Sequence, residues 1–202
     1  MGNVRLYGAT SGYTELAPPA VAPDGVLSLP SGTGTIAKTT DQGLVHINTT
    51  TFSAVSSVSL NNVFTSAYDV YRIIFTVTAS INNNHIFRLR ASGTDASGAN
   101  TYKGFGFYMT GGTTITGFSD DLDKWYYSIS IEKDFAVYDL GNPAKAEQTV
   151  MTRGLILQGA SNGASGMSGR HTANTAYDGF SLVAASGNLT GIVRVYGYKN
   201  GA

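Results

Sequence analysis

Val70-Tyr-Arg-Ile-Ile-Phe-Thr-Val-Thr78, then Asn82-Asn-Asn84, then His85-Ile-Phe-Arg-Leu-Arg-Ala91: the reading of this sequence turns on that stretch. The first run is β-branched and aromatic, the side chains that pack best on a pleated surface. The second alternates, with Phe87, Leu89 and Ala91 on one face, Arg88 and Arg90 on the other, and Ile86 out of phase with the apolar set. Period two over seven residues describes a strand with one face buried. The asparagines between the runs supply turn chemistry, so the sequence predicts a hairpin.

Working outward, runs of the same kind predict strands over residues 102–109, 126–132, 135–140, 150–158, 166–172, 180–185 and 191–199. Strands at intervals of about ten to fifteen residues favour an all-β sandwich or jelly roll. Helical periodicity is nearly absent; residues 142–148 have room for one turn. The connections at 92–100, 111–118, 159–165 and 173–179 are long and rich in small residues. On sandwich scaffolds such loops carry function, although solvated connections are the plainer reading for most of them.

Composition narrows the function. The chain has 202 residues, no cysteine and a formal net charge of zero; charged residues make up 13 %, about half the usual quarter. Gly, Ser, Thr and Asn together supply 80 residues, so the surface is polar through hydroxyls and amides rather than ions. That disfavours nucleic-acid binding, which needs a basic footprint to release phosphate counterions. Without cysteine there are no disulfides, zinc fingers or thiol nucleophiles. No apolar run approaches the roughly 20 residues of a membrane span, and the first residues lack the apolar core of a signal peptide.

Residues 1–50 read differently from 51–202. Short apolar bursts (Val4, Leu6, Tyr7; Val26, Leu27, Leu29; Gly43 to Ile47) are separated by Gly, Pro and Thr clusters, and Pro18, Pro19, Pro23 and Pro30 are four of the five prolines. Proline removes ladder donors and fixes φ, which confines strands here to short edges. The expectation is an extended arm, ordered by packing on something larger, ahead of a sandwich domain over 51–202. A disordered tail is the plainer alternative.

Catalytic motifs are weak. Gly32-Thr-Gly-Thr-Ile-Ala-Lys-Thr39 mimics a phosphate loop, but Ala37 replaces the second glycine and no apolar helical face follows. His46, His85 and His171 are far apart, and none lies at metal-ligand spacing from another. Gly163-Ala-Ser165-Gly-Met167 misses the last glycine of a nucleophile elbow. Asp120, Asp121 and Asp123 alternate like calcium ligands without the twelve-residue loop, and turn-capping is the better reading. No cofactor is called for, and no spacing establishes the carboxylate pair of a glycosidase.

Beside those aspartates stands Trp125, the single tryptophan, followed by Tyr126 and Tyr127. Aromatic faces beside amides can stack on a pyranose ring; they can equally fill a core or a subunit interface. The candidate ligand or interface surface is therefore Tyr102, Trp125 and Tyr177, with the uncharged loops at 100–103 and 161–168.

The arm carries a further pattern. Gly8-Ala-Thr-Ser-Gly12-Tyr-Thr-Glu-Leu16-Ala-Pro-Pro-Ala-Val21 and Leu27-Ser-Leu-Pro30-Ser-Gly-Thr-Gly-Thr-Ile-Ala37 resemble a segment recurrent in structural proteins of tailed bacteriophages. Tyr71-Arg-Ile-Ile-Phe75, Leu89-Arg-Ala-Ser92 and Gly191-Ile-Val-Arg-Val-Tyr-Gly197-Tyr are similar to stretches of the same proteins. The resemblance implies a non-enzymatic virion appendage of the tail-fibre, minor-tail or head-fibre type. It further implies a homotrimer, attached to other virion proteins through the arm. The expected task is contact with host-surface glycans, with capsid decoration as the alternative and no part for nucleic acid or membrane insertion.

Overall fold

Every regular element among the described residues is a strand. The structure, a computed structural model, describes residues 4–7, 10–16, 43–109, 114–129, 134–158 and 163–199. The chain divides into two units, Met1–Ala37 and Lys38–Ala202. In the first, β1 (Val4–Tyr7) and β2 (Tyr13–Leu16) pair antiparallel. Gly12 takes the left-handed φ of 79° just before β2. The Tyr7 and Tyr13 rings lie 5.9 Å apart, and the Arg5 guanidinium sits 4.5 Å over Tyr13. The clustered prolines and the Gly32-to-Thr39 motif lie outside the described residues.

The second unit is built from β3 (Leu44–Val55), β4 (Ser57–Leu60), β5 (Val70–Ala79), β6 (Asn83–Ala91), β7 (Thr94–Asp95), β8 (Tyr102–Met109), β9 (Thr116–Leu122), β10 (Trp125–Ile129), β11 (Asp134–Gly141), β12 (Thr149–Gln158), β13 (Gly163–His171), β14 (Gly179–Val183) and β15 (Leu189–Tyr198). All pairings are antiparallel. The larger sheet runs β3-β15-β5-β11-β12-β13-β8-β9, and the smaller runs β10-β6-β14-β4 with β7 on β6. Setting aside β7–β9 and β12–β13 leaves β3-β15-β5-β11 facing β4-β14-β6-β10. That arrangement is an eight-stranded jelly roll, one of the two all-β architectures the strand spacing favours. The two inserts, one between β6 and β10 and one between β11 and β14, add four strands to one side of the larger sheet.

The core forms where the two inner faces meet. Phe87 of β6 stacks on Phe180 of β14 at 5.1 Å and on Tyr138 of β11 at 5.7 Å, with Phe75 of β5 at 6.4 Å. All four are buried, and such ring pairs add about 0.5–1.5 kcal/mol each beyond the area they remove from water. Two tyrosines pin the loops that lead into their strands. The Tyr71 hydroxyl donates to Thr65 O (2.5 Å) and accepts from Thr65 N, and the Tyr102 hydroxyl donates to Ala96 O (2.8 Å).

The hairpin read from residues 70–91 does not form. Its two strands exist, but β5 pairs with β11 and β15 while β6 pairs with β10, β14 and β7. The asparagine turn carries the chain from one sheet to the other. Two strands that each have one apolar face can bury it side by side or face to face, and local turn chemistry does not choose between them. The arch is fixed from outside: Ser80 N donates to Asn188 O and Asn188 N to Ser80 Oγ, both at 2.9 Å. Gly187 between them has φ +69°, and a Cβ there would strike Ser80 Oγ.

The boundary at residue 50 also moves. Residues 44–50 open β3, the edge strand of the larger sheet, which pairs with β15 from Leu44 to Val55. Its Asn and Thr content hid it, because an edge strand buries little; Phe52 is its one core side chain. Removing residues 1–37 should therefore leave the thermal unfolding of the second unit unchanged. Removing 1–55 strips β3 and takes Phe52 from the core, a loss of about 3–5 kcal/mol on that side chain alone. Calorimetry on the two truncations checks this; equal melting temperatures would contradict the place given to β3.

Candidate ligand-binding cleft

The three aromatic residues singled out from the sequence do come together, but inside the protein. Tyr102, Trp125 and Tyr177 are 0, 2 and 3 % exposed, so they form core and not a ligand surface. Tyr102 meets Trp125 edge-on at 4.9 Å and His171 at 4.3 Å, and His171 meets Tyr177 at 5.2 Å. Each polar tip has a partner. The Tyr102 hydroxyl accepts from Leu89 N (3.0 Å) as well as donating to Ala96 O, Trp125 Nε1 donates to Lys103 O (3.1 Å), and the Tyr177 hydroxyl shares a hydrogen bond of 3.0 Å with His171 Nδ1. Alternation explains the burial, since Tyr102 opens β8 on its inner face.

The other candidates separate. His46 lies on the edge strand β3, against Tyr196, while His85 and His171 are buried on β6 and β13. Burial holds both buried imidazoles below their ordinary pKa. Asp121 pairs with Lys103, and Asp123 with Lys124 and Arg88, which hold its carboxyl below the usual range. Among the described residues, no three His, Cys, Asp or Glu side chains are placed to hold a metal ion. The loop read at 161–168 is strand β13 from Gly163 onward.

What the fold builds instead is a cleft beside β10, where the smaller sheet ends and the larger continues. Strand registers set the inner-face side chains in rows. One row runs Tyr138, Arg153, Met167, Gly106, Phe118 from β11 to β9; the next runs Leu140, Met151, Gly169, Gly104, Asp120. The glycines leave the sheet bare, and rings from elsewhere occupy the space. A Cβ on Gly106 would come within 2.7 Å of the Phe118 ring, and one on Gly169 within 2.8 Å of Trp125 Nε1. Trp125 closes one end of this bare strip, and among the described residues the other end opens into the cleft.

The opening has a volume of about 430 Å³, in the range of small-molecule pockets. Its larger-sheet wall carries Tyr108, Phe118, Asp120, Arg153, Ser165 and Met167; Tyr126 of β10 and Asn84 of β6 face them. Arg153 is 8 % exposed and donates from Nη2 to Ser165 Oγ at 2.9 Å. It also lowers the pKa of Tyr138, whose burial outweighs it and raises the phenol. Burial pushes the Asp120 carboxyl above its ordinary value. Ring faces, an amide, a hydroxyl, a carboxyl and a guanidinium thus converge on one solvent-accessible space.

Sequence reasoning missed this site, although a signal was present. Tyr102-Lys-Gly104-Phe-Gly106-Phe-Tyr108 alternates glycine with large residues, so one face of a strand between two tyrosines carries no side chains. Glycine inside a strand marks a place where something else approaches closely. These features define an all-β jelly-roll sandwich, widened on one side into a sheet that bears a cleft. Comparison with family models, with curated proteins and with solved structures gives no match.

Two measurements bear on the buried cluster. Tyr102→Phe strands Leu89 N–H and Ala96 C=O, and should cost about 1–3 kcal/mol in denaturant unfolding without changing the fold. For the histidines the folded pKa lies below the ordinary 6.5. The unfolded chain therefore takes up protons first, and the stability present above that value is lost as pH falls through it. Urea midpoints measured from about pH 8 to pH 5 should decline below pH 6.5. The decline should flatten in a His85→Gln/His171→Gln double variant, and an unchanged slope in that variant would contradict the assignment.

Proposed function

We propose that this chain is a non-enzymatic structural protein of a tailed-bacteriophage virion, a fibre-type surface appendage whose jelly-roll domain contacts host-surface glycans. The observation that carries the reading is the cleft. Sugars are recognised by ring faces stacked on aromatics and by planar polar groups that meet hydroxyls. Tyr108, Phe118 and Tyr126 beside Asn84, Asp120 and Ser165 offer that combination. The resemblance of residues 8–21 and 27–37 to phage structural proteins supplies the setting. The low charge and hydroxyl-rich composition suit a surface exposed outside the cell.

A second reading, capsid decoration or head fibre, draws on the opposite face of the larger sheet. Phe105, Phe107, Phe135 and Val150 point outward there, Phe105 at 61 % and Phe135 at 58 % exposure. Exposed apolar groups in such number mark a surface suited to cover by other chains, including the copies of itself that a homotrimer would provide.

The test is competition. Purified full-length protein should reduce adsorption of the phage to its host, and Tyr126→Ala with Phe118→Ala should remove that inhibition while the protein stays folded by circular dichroism. Adsorption unaffected by wild-type protein at saturating concentration, or equal in particles that lack it, would favour decoration over host contact.

A further inference from the structure

Charge is scarce in this protein, and among the described residues Arg72, Arg88, Arg90, Lys103, Lys124 and Lys145 are ion-paired. Arg72 holds Asp139 through two hydrogen bonds of 2.8 Å, Arg88 pairs with Asp123, Arg90 with Asp95, and Lys103 with Asp121. Arg153 differs. It is among the most buried cations, and among the described residues no carboxylate forms an ion pair with it. Its neighbours Ser165 Oγ and the Tyr138 hydroxyl are both neutral, and its Nε–H meets no acceptor among the described residues. A guanidinium taken out of water without a counter-charge is costly, and the cost is removed by an anion that arrives from outside.

The cleft contains one acid, Asp120, but it stands on β9 while Arg153 stands on β12. Three strand spacings separate the two backbones, roughly 14 Å. Burial raises the Asp120 carboxyl itself above its ordinary value. The cleft therefore has a cationic end that lacks a counter-charge among the described residues and an acidic end suited to hydroxyl donors. Ring faces of Phe118, Tyr108 and Tyr126 line the same space.

We infer that the ligand of this cleft is a carboxylated saccharide of the uronic-acid or sialic-acid type, its carboxylate against Arg153 and its ring hydroxyls toward Asp120 and Asn84. The guanidinium is planar and matches a carboxylate with parallel hydrogen bonds, which a hydroxyl cannot reproduce. The inference rests on the glycan-contact reading above and deepens it by naming the class of sugar. Binding through Arg153 weakens as salt rises.

The experiment is calorimetric titration of full-length protein with D-glucuronate, D-glucuronate methyl ester, N-acetylneuraminate and D-glucose, at low and high sodium chloride. The carboxylates should bind at least tenfold more tightly than the ester and glucose, and high salt should narrow that gap. Arg153→Gln should abolish the preference. Asp120→Asn, at the other end, should weaken acid and ester alike and leave their ratio intact, so the assignment does not depend on how Arg153→Gln folds.

Equal affinity of wild-type protein for glucuronate and its methyl ester overturns the carboxylate assignment and leaves glycan contact standing. Tighter binding of glutamate, offered as a non-sugar carboxylate, overturns the saccharide class. No binding of any sugar, together with phage adsorption unaffected by the purified protein, overturns both.

Discussion

A sandwich buries only as much of one sheet as the other sheet covers, and here the two are unequal. Four strands of the smaller sheet span roughly 14 Å across their ladders, whereas eight of the larger span roughly 34 Å. The jelly-roll half of the larger sheet is covered and carries the Phe75, Phe87, Phe180 and Tyr138 core. The other half needs a different solution. Near one end Trp125 reaches across from β10 and lies on Gly169; farther along, Tyr126 of β10 and Asn84 of β6 line the cleft together with the larger sheet. Width mismatch, glycine placement and cleft are one constraint seen at three scales.

The same constraint explains where the charges went. Outward-facing positions of the larger sheet hold cross-strand pairs such as Arg72 with Asp139, with Tyr198 5.3 Å from the guanidinium. In the smaller sheet Arg90 reaches Asp95, Asn61, Ser181 and the Gly93 carbonyl, which ties β7 and the loop after β4 to β6 and β14. Partly exposed pairs like these fix orientation more than they add to stability. Against that background a buried arginine bonded to a serine is an exception, and proteins keep exceptions of that kind at sites of function.

Strand positions were legible because burial writes itself into period two. Residues 70–78, 85–91, 102–109 and 191–199 each fall within or nearly on an observed strand. Pairing was not legible: β5 and β6 carry the right faces, but the asparagine turn between them serves an arch as readily as a hairpin. Strands β3 and β9 escaped notice for a common reason. LVHINTTTFSAV and TGFSDDL lie at the two edges of the larger sheet, where few side chains are buried and polar residues replace the apolar ones. Tyr102, Trp125 and Tyr177 were found by residue type, which says that an aromatic matters without saying which side of the strand it is on. The cleft itself was hidden because its signal is missing side chains, Gly104 and Gly106, and because Arg153 acquires meaning only when its neighbours across β11 and β13 are known.

The two inserts that widen the larger sheet enter and leave at the ends of jelly-roll strands, and the stacked rings of the central core do not belong to them. The protein is in effect a frame with a replaceable side panel. The frame is specified by its stacked interior aromatics, while the panel is held by ladder hydrogen bonds and by Tyr102, Met151 and Met167 where it meets the frame. Lengthening, shortening or resurfacing the panel would alter what the cleft admits and leave the frame folded. Such a division lets the shape of the cleft change on a scaffold that stays the same.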